Sequence, residues 1–141
     1  MHGAGYEKVP VVCVPAPASL GSGRAGLAQL PEQCPKLDAV FCDTDMAALG
    51  VLIEAKARGV RVPQDLGVMG FGDLGFAQQT DPPLSTVRID GTAIGQRAAQ
   101  FIMSRAEGWP IEQPIVDIAF TLVRRTSERS GLGRRRGLSR P

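Results

Sequence analysis

Residues 37–83 decide the fold of this 141-residue chain and read LDAVFCDTDMAALGVLIEAKARGVRVPQDLGVMGFGDLGFAQQTDPP. Two short apolar runs, at residues 37–42 and 67–71, are separated by a segment of helical length. Runs of this kind indicate parallel strands that are buried on both faces of a sheet. The segment therefore predicts a strand–helix–strand unit, and its crossover should be right-handed.

The helix of this unit is predicted from side chains at three- and four-residue spacings. The stripe expected to face the sheet consists of Met46, Leu49, Gly50, Ile53 and Ala57. Thr44 or Asp45 can accept hydrogen bonds from the free N–H groups of the first turn. Gly59 can adopt the left-handed conformation that ends a helix.

The rest of the chain supplies further strands and helices. A β-branched run predicts a strand at residues 9–14, and Ser19 or Ser22 would cap a helix that extends to about Gln33. A strand at 85–89, a helix at 92–107 capped by Asp90 and ended by Gly108, and a strand within 116–123 follow. The order predicts an α/β fold, with a mainly parallel sheet and helices on both faces.

Composition narrows the class of protein. The net charge is +2 and the surplus arginines lie near the C-terminus, so charge alone does not indicate a nucleic-acid partner. No apolar run is long enough for a membrane span. Three cysteines without metal-ligand spacing indicate reduced thiols and a cytoplasmic location. We expect a frayed N-terminus (1–8), one domain (9–128) and a disordered basic tail (129–141).

Catalysis has little support in the sequence. The only histidine, His2, lies in the segment expected to be frayed, so no nucleophile can be paired with a histidine in an ordered core. GFGDLG lacks the lysine and hydroxyl residue of a phosphate loop. We therefore expect no enzyme activity, no cofactor and no metal site.

Polar residues follow the two strands of the central unit, namely Thr44 and Asp45 after the first and Gly72 and Asp73 after the second. Ligands of parallel α/β sheets bind beyond the carboxyl ends of the strands. A carboxylate there can accept hydrogen bonds from ligand hydroxyl groups. Two plainer interpretations stay open: Asp45 could only cap its helix, and Gly72 could only relieve crowding in a turn.

Three motifs carry a resemblance to a known family: FCDTDMAALGVL (41–52), RGVRVPQDLGVMGFGD (58–73) and DPPLSTVRIDGTAIGQRAA (81–99). In order and spacing they resemble the LacI/GalR family of bacterial transcription regulators, over roughly residues 6–127. VMGFGDLGFA with STVRIDGTAIG is most similar to the gluconate-repressor branch. The resemblance implies the second lobe of a periplasmic-binding-protein-like effector domain, with most of the first lobe missing from the chain.

The resemblance also implies functional residues and partners. A sugar or sugar-acid effector such as gluconate would contact the family's effector positions, and a homodimer would form through the second stripe of the central helix and the segment after the second strand. Operator DNA would be bound only through a helix-turn-helix that this chain lacks. The implied effector residues are Ala18, Thr44, Asp45, Gly72 and Asp73, and the implied dimer residues are Ala48, Leu52, Ala55, Phe76 and Thr80.

Two departures from the family pattern affect the effector. Gly72 stands where many sugar-binding members have an acidic residue, which weakens the case for a neutral sugar, and Ala18 stands where purine-binding members have a stacking aromatic. The family's effector-binding arginine lies upstream, so we expect weak or absent binding by this chain. A periplasmic sugar-binding component of a transporter, or a dimerising module without ligand, are the alternative interpretations.

Overall fold

The computed structural model of the chain describes residues 9–111 and 113–129. Three helices and four strands follow one another in these residues, together with a 3-10 turn at Ala77–Gln79. In chain order they are α1 (Leu20–Gln33), β1 (Ala39–Phe41), α2 (Asp45–Ala57), β2 (Gly67–Phe71), β3 (Ser85–Ile89), α3 (Gly91–Ala106) and β4 (Phe120–Val123).

The strands form one sheet in the order β1-β2-β3-β4. β1, β2 and β3 are parallel: Val40 pairs with Val68, and Met69 pairs with Ser85. β4 pairs antiparallel with β3. The α/β fold with a mainly parallel sheet is therefore confirmed.

The strand predicted at residues 9–14 is wrong. The structure gives these residues an irregular conformation, and the side chains of Val9 and Val11 are 50% and 70% exposed. A β-branched run forms a strand only where a neighbour completes its hydrogen bonds, and Pro10 has no N–H to give.

Local capping chemistry fixes the helix ends as the sequence indicated. Ser19 caps α1, and the Thr44 hydroxyl caps α2 by accepting from the Ala47 N–H at 3.1 Å. Asp90 caps α3 in the same way. Gly59 and Gly108 follow the ends of α2 and α3 with φ of +71° and +78°, a region that glycine enters without steric cost.

The burial of α2 differs from the prediction on both of its stripes. Ala48, Leu52 and Ala55, proposed as a dimer surface, are 0%, 5% and 0% exposed and belong to the core of this chain. Met46 and Ile53, proposed as core, are 37% and 40% exposed. The helix is apolar on most of its circumference, so its hydrophobic periodicity does not distinguish the face that packs on the sheet.

Glycines allow α1 to pack closely on α2. A Cβ on Gly23 would lie 2.0 Å from the Ala47 carbonyl oxygen, and one on Gly50 would lie 2.2 Å from the Leu20 carbonyl oxygen. Backbone atoms within a helix cannot move away from such a contact cheaply. Arg24 of α1 then reaches Glu54 of α2, with Nε donating to Oε2 at 2.9 Å.

The segment after β4 is bound into the sheet. Ser127 is fully buried; its hydroxyl donates to the Val68 carbonyl at 2.7 Å and accepts from the Ser85 N–H at 2.7 Å. Its backbone carbonyl accepts from the Val68 N–H, also at 2.7 Å. The segment thereby completes the hydrogen bonding of β2 and β3, whose buried groups would otherwise be unpaired.

Helix α3 contributes no buried residue. Its apolar side chains include Ile94 and Ile102, and no other element among the described residues covers them. Ile94 is 42% exposed and Ile102 is 71% exposed.

Candidate functional site at the carboxyl edge of the sheet

The polar residues that follow β1 and β2 lie at one edge of the sheet because the two strands are parallel. Thr44 caps α2 and Asp45 is its first residue, three and four positions after the end of β1. Gly72 and Asp73 follow directly on β2. The structure thus brings four of the five predicted effector residues to the same edge, which is the usual ligand position in such sheets.

Asp45 is fully buried and is hydrogen-bonded at both oxygens. Oδ1 accepts from the Thr86 hydroxyl at 2.5 Å, and Oδ2 accepts from the Leu74 N–H at 2.6 Å. The carboxylate therefore joins the start of α2 to β3 and to the segment after β2. The capping role considered for Asp45 belongs to its neighbour Thr44.

Gly70 leaves the space that the Asp45 carboxylate occupies. A Cβ at Gly70 would lie 2.3 Å from Oδ1 of Asp45, 3.2 Å from its Cα and 3.2 Å from Cδ2 of Leu84. Since these atoms are buried, an added methyl group could not be accommodated without shifting the carboxylate.

The turn after β2 has an unusual backbone. Gly72 has φ +124°, and Asp73 has φ +54°, the only positive φ of a non-glycine residue in the described part of the chain. The Gly72 N–H donates to the Val87 carbonyl at 2.8 Å, and the Asp73 N–H donates to the Thr86 hydroxyl at 3.3 Å. Gly72 therefore has a conformational reason for being glycine, in addition to the absence of an acidic side chain.

The Asp73 carboxylate is paired with two arginines. Arg125 Nη2 donates to Oδ1 at 2.7 Å, and Arg88 Nε donates to Oδ2 at 2.6 Å. Burial by itself would raise the pKa of Asp73, but the hydrogen bonds and charges of Arg125 and Arg88 together outweigh it and hold the pKa below its ordinary value. The group is therefore a carboxylate at neutral pH.

Ala18, the fifth predicted effector residue, precedes α1 and is half-buried. Leu20 and Gly23 contact Gly50 and Ala47 of α2, so the loop that ends at Ala18 enters α1 beside the first half of α2. Its methyl side chain offers no hydrogen bond and no stacking surface to a ligand.

Two of the predicted dimer residues lie outside the core. Phe76 and Thr80, on either side of the 3-10 turn, are half-buried. The Thr80 hydroxyl donates to the carbonyl oxygens of Ala77 and Pro82, at 3.1 and 2.8 Å, and so stabilises the turn.

Sequence reasoning missed three residues of this edge: Thr86, Arg88 and Arg125. Residues 85–89 were assigned only as a strand, and Arg125 was counted only in the basic excess. The two-residue spacing of Thr86 and Arg88 within a predicted strand is the signal that places both side chains on one face of β3. No local pattern indicates the role of Arg125, which lies 52 positions from Asp73.

Other parts of the described chain show little chemistry. Burial, with smaller contributions from the charges of Asp43 and Asp45, raises the pKa of the Cys42 thiol to about 12, so this thiol is not a nucleophile at neutral pH. A cavity of about 380 Å³ lies away from the edge, between the end of α2 and Asp81–Pro82. Within residues 9–111 and 113–129 no cluster of potential metal ligands is found, and no helix there is long and apolar enough to cross a bilayer.

Comparison with known proteins identifies the family. The model of the periplasmic binding protein-like domain matches residues 1–128. The chain therefore belongs to this family.

Its relatives specify the branch of the family. Over 122 residues the chain is 37% identical to the HTH-type transcriptional regulator GntR of Pseudomonas aeruginosa, a match that covers 86% of this chain and 36% of the relative. The crystal structure of the transcription regulator GntR from Chromobacterium violaceum has a TM-score of 0.70 at 33% identity, covering 81% of this chain and 42% of that one. A CelR–cellobiose complex has a TM-score of 0.79 at 28% identity, covering 89% and 38%.

These relatives are transcription regulators of the LacI type, and the chain corresponds to part of their effector-binding domain. It spans about a third of the length of the curated relatives it matches. The resemblance found in the sequence is confirmed, and the prediction that the chain is not an enzyme agrees with the class of its relatives.

Proposed function

We propose that the chain is the ligand-sensing and dimerising part of a cytoplasmic LacI-type regulator that responds to a sugar acid such as gluconate. The observation that carries the proposal is the carboxyl edge, where Thr44, Gly72 and Asp73 surround a buried carboxylate. The similarity to proteins named GntR supports the sugar acid, and the CelR–cellobiose complex is a structural relative with a sugar bound. In the whole regulator, effector binding would change the angle between two lobes and thereby the spacing of the DNA-binding heads.

The absence of an acidic side chain at Gly72 supports an anionic effector. A second carboxylate at that position would repel an acid and would raise the free energy of binding. Arg88, whose side chain is 58% exposed, supplies a cation at the same edge, although Asp73 already pairs with it. Both oxygens of Asp45 already accept hydrogen bonds, so Asp45 would act on the ligand indirectly. It would fix the positions of Thr86 and Leu74.

Binding of gluconate, measured by calorimetry with glucose as the neutral comparison, tests the proposal. We expect millimolar affinity, because the carboxylate of gluconate would be buried with only some of its hydrogen-bonding partners. Burial of this kind costs several kcal/mol of solvation. At a gluconate concentration of ten times Kd, the chain should gain about 1.4 kcal/mol of stability. Equal or tighter binding of glucose would contradict the sugar acid, and micromolar affinity for gluconate would show that the pocket does not need the first lobe.

We infer that a dimer would form through the side of α2 that carries Met46 and Ile53, which are 37% and 40% exposed. The apolar stripe on this side of α2 consists of Met46, Leu49 and Ile53. It lies between the side that contacts α1 at Gly50 and the side that carries Lys56. Lys56 Nζ in turn reaches Asp81 at 3.4 Å, just beyond the 3-10 turn.

Phe76 and Thr80 flank that turn, so they can extend the α2 stripe into one patch. A two-fold dimer pairs equal patches of its two subunits, and an apolar stripe with a half-buried aromatic suits such an interface. A stable dimer should bury more than ~1,000 Å² in total.

A further inference from the structure

The Gly72–Asp73 turn needs something to hold it. Asp73 has φ +54°, in the left-handed region that residues with a side chain adopt only infrequently. Its N–H makes only a long hydrogen bond, 3.3 Å, to the Thr86 hydroxyl. The Gly72 and Leu74 N–H groups fix the two ends of the turn, by hydrogen bonds to Val87 and Asp45, and what binds the Asp73 side chain fixes its middle.

Arg125 binds that side chain and is itself fixed to the backbone. Nη2 donates to Asp73 Oδ1 at 2.7 Å, and Nη1 donates to the Leu84 carbonyl at 2.7 Å. The backbone N–H of Arg125 donates to the Ser85 hydroxyl at 2.8 Å, and two residues later Ser127 is bound into the sheet. The guanidinium is thus held on one side by the start of β3 and presents its other side to the turn.

Arg88, the second partner of Asp73, is less able to set the turn. Its side chain is 58% exposed, whereas that of Arg125 is 17% exposed. Exposed ion pairs are screened by water and pay for the ordering of a long side chain, while a partly buried pair keeps more of its attraction. Both contacts of Arg88 also fall on a single oxygen, Oδ2.

We propose that Arg125 is a positioning residue of the effector edge: its guanidinium holds the Asp73 carboxylate against Leu84 and so sets the conformation of the Gly72–Asp73 turn. Arg125 does not contact the effector, because its guanidinium is directed at Asp73 and Leu84. The inference rests on the assignment of this edge as the effector site, but the state of the turn can be measured without any effector.

The test compares Arg125→Ala with Arg124→Ala in the full chain by NMR. Arg124 is the adjacent residue, 60% exposed, and pairs with Glu128 instead. A pH titration of the Asp73 carboxyl carbon and the amide signals of Gly72 and Asp73 are the readouts. We expect Arg125→Ala to raise the pKa of Asp73 and to shift both amide signals, and Arg124→Ala to change neither.

Two further variants keep the proposal falsifiable. Arg88→Ala should raise the pKa of Asp73 by less than Arg125→Ala does. Arg125→Lys retains the positive charge, so the pKa of Asp73 should rise less than it does in Arg125→Ala. A lysine cannot bridge two acceptors in one plane, so the amide signals of Gly72 and Asp73 should still differ from those of the unmodified chain. If the alanine variant does not fold, the amide signals of Gly72 and Asp73 in Arg125→Lys decide the question, and unchanged signals there would overturn the proposal.

An unchanged pKa of Asp73 in a folded Arg125 variant, or a larger effect from Arg88→Ala, would overturn the proposal. Addition of gluconate to the unmodified chain separates this result from the proposed function. If no signal responds to gluconate, the effector assignment fails, while the Asp73 titration still decides the role of Arg125.

Discussion

Gly70→Ala tests whether the buried Asp45 carboxylate lies against β2. Gly67→Ala in the same strand is its matched control. A Cβ at Gly67 would meet the Cβ of Ala39 and the carbonyl oxygen of Asp38 at 3.7 Å, which is ordinary contact. Alanine is favoured over glycine inside a strand by roughly 0.5–1 kcal/mol. Gly67→Ala should therefore leave the free energy of unfolding unchanged or raise it by that amount.

At Gly70 the same methyl group would lie 2.3 Å from Asp45 Oδ1. The carboxylate cannot rotate away without losing the Thr86 hydroxyl or the Leu74 N–H, and a hydrogen bond to a charged group contributes about 1.5–3 kcal/mol. Overpacking of a core adds about 1–3 kcal/mol. After subtraction of the gain expected at Gly67, the net loss should be about 1.5–5.5 kcal/mol.

Urea unfolding followed by circular dichroism measures both variants under one set of conditions. The difference in free energy of unfolding between the two variants isolates the effect of the Asp45 carboxylate. A Gly70→Ala protein as stable as Gly67→Ala would show that Asp45 does not occupy the space beside β2.

Three further predictions concern association, the C-terminal segment and pH. Ile53→Glu should convert a dimer into a folded monomer in sedimentation at micromolar concentration, because a charge in an apolar interface is costly, whereas Ile102→Glu should leave the dimer intact. The reverse result would move the interface to α3. A monomeric unmodified chain would refute association altogether. Ser127→Ala should lower the free energy of unfolding in urea by about 2–4 kcal/mol, because it leaves a buried N–H and a buried carbonyl unpaired, and a loss below 1 kcal/mol would contradict the anchoring role. The hydrogen bond from Arg61 lowers the pKa of Asp65 from 3.8 to about 2, so the stabilising contribution of this ion pair is present above about pH 4 and is lost as the pH falls toward 2. Asp65→Asn should remove that part of the acid dependence of the thermal unfolding temperature. An acid dependence that stays unchanged in this variant would show that the pair does not stabilise the fold.

Local features of the fold could be predicted because their causes are local. Thr44 and Asp90 cap their helices, and Gly59 and Gly108 follow helix ends, since each acts on backbone groups within four residues. The parallel sheet followed in the same way from apolar runs separated by a helix. The strand expected at residues 9–14 failed because a strand needs a neighbour, which the run itself does not reveal.

The faces of α2 and the support of the site could not be predicted, for a different reason. Which stripe of an apolar helix is buried depends on where α1 crosses it, and that crossing is set by Gly23 and Gly50. The partners of Asp45 and Asp73 are distant in sequence: Thr86 of β3 is 41 positions from Asp45, and Arg125, just after β4, is 52 from Asp73. A single sequence shows the polar residues at a strand end but not the distant groups that satisfy them.

The central claim is that the carboxyl edge of this sheet receives a sugar acid. The most direct measurement is an NMR titration of the isotope-labelled chain with gluconate, with glucose in a parallel titration. We predict that gluconate shifts the amide signals of Thr44, Gly72 and Asp73 at millimolar concentration, that glucose shifts them less, and that the cavity beside Asp81 does not respond. Signals that move only at that cavity, or no movement at the edge at saturating gluconate, would contradict the account.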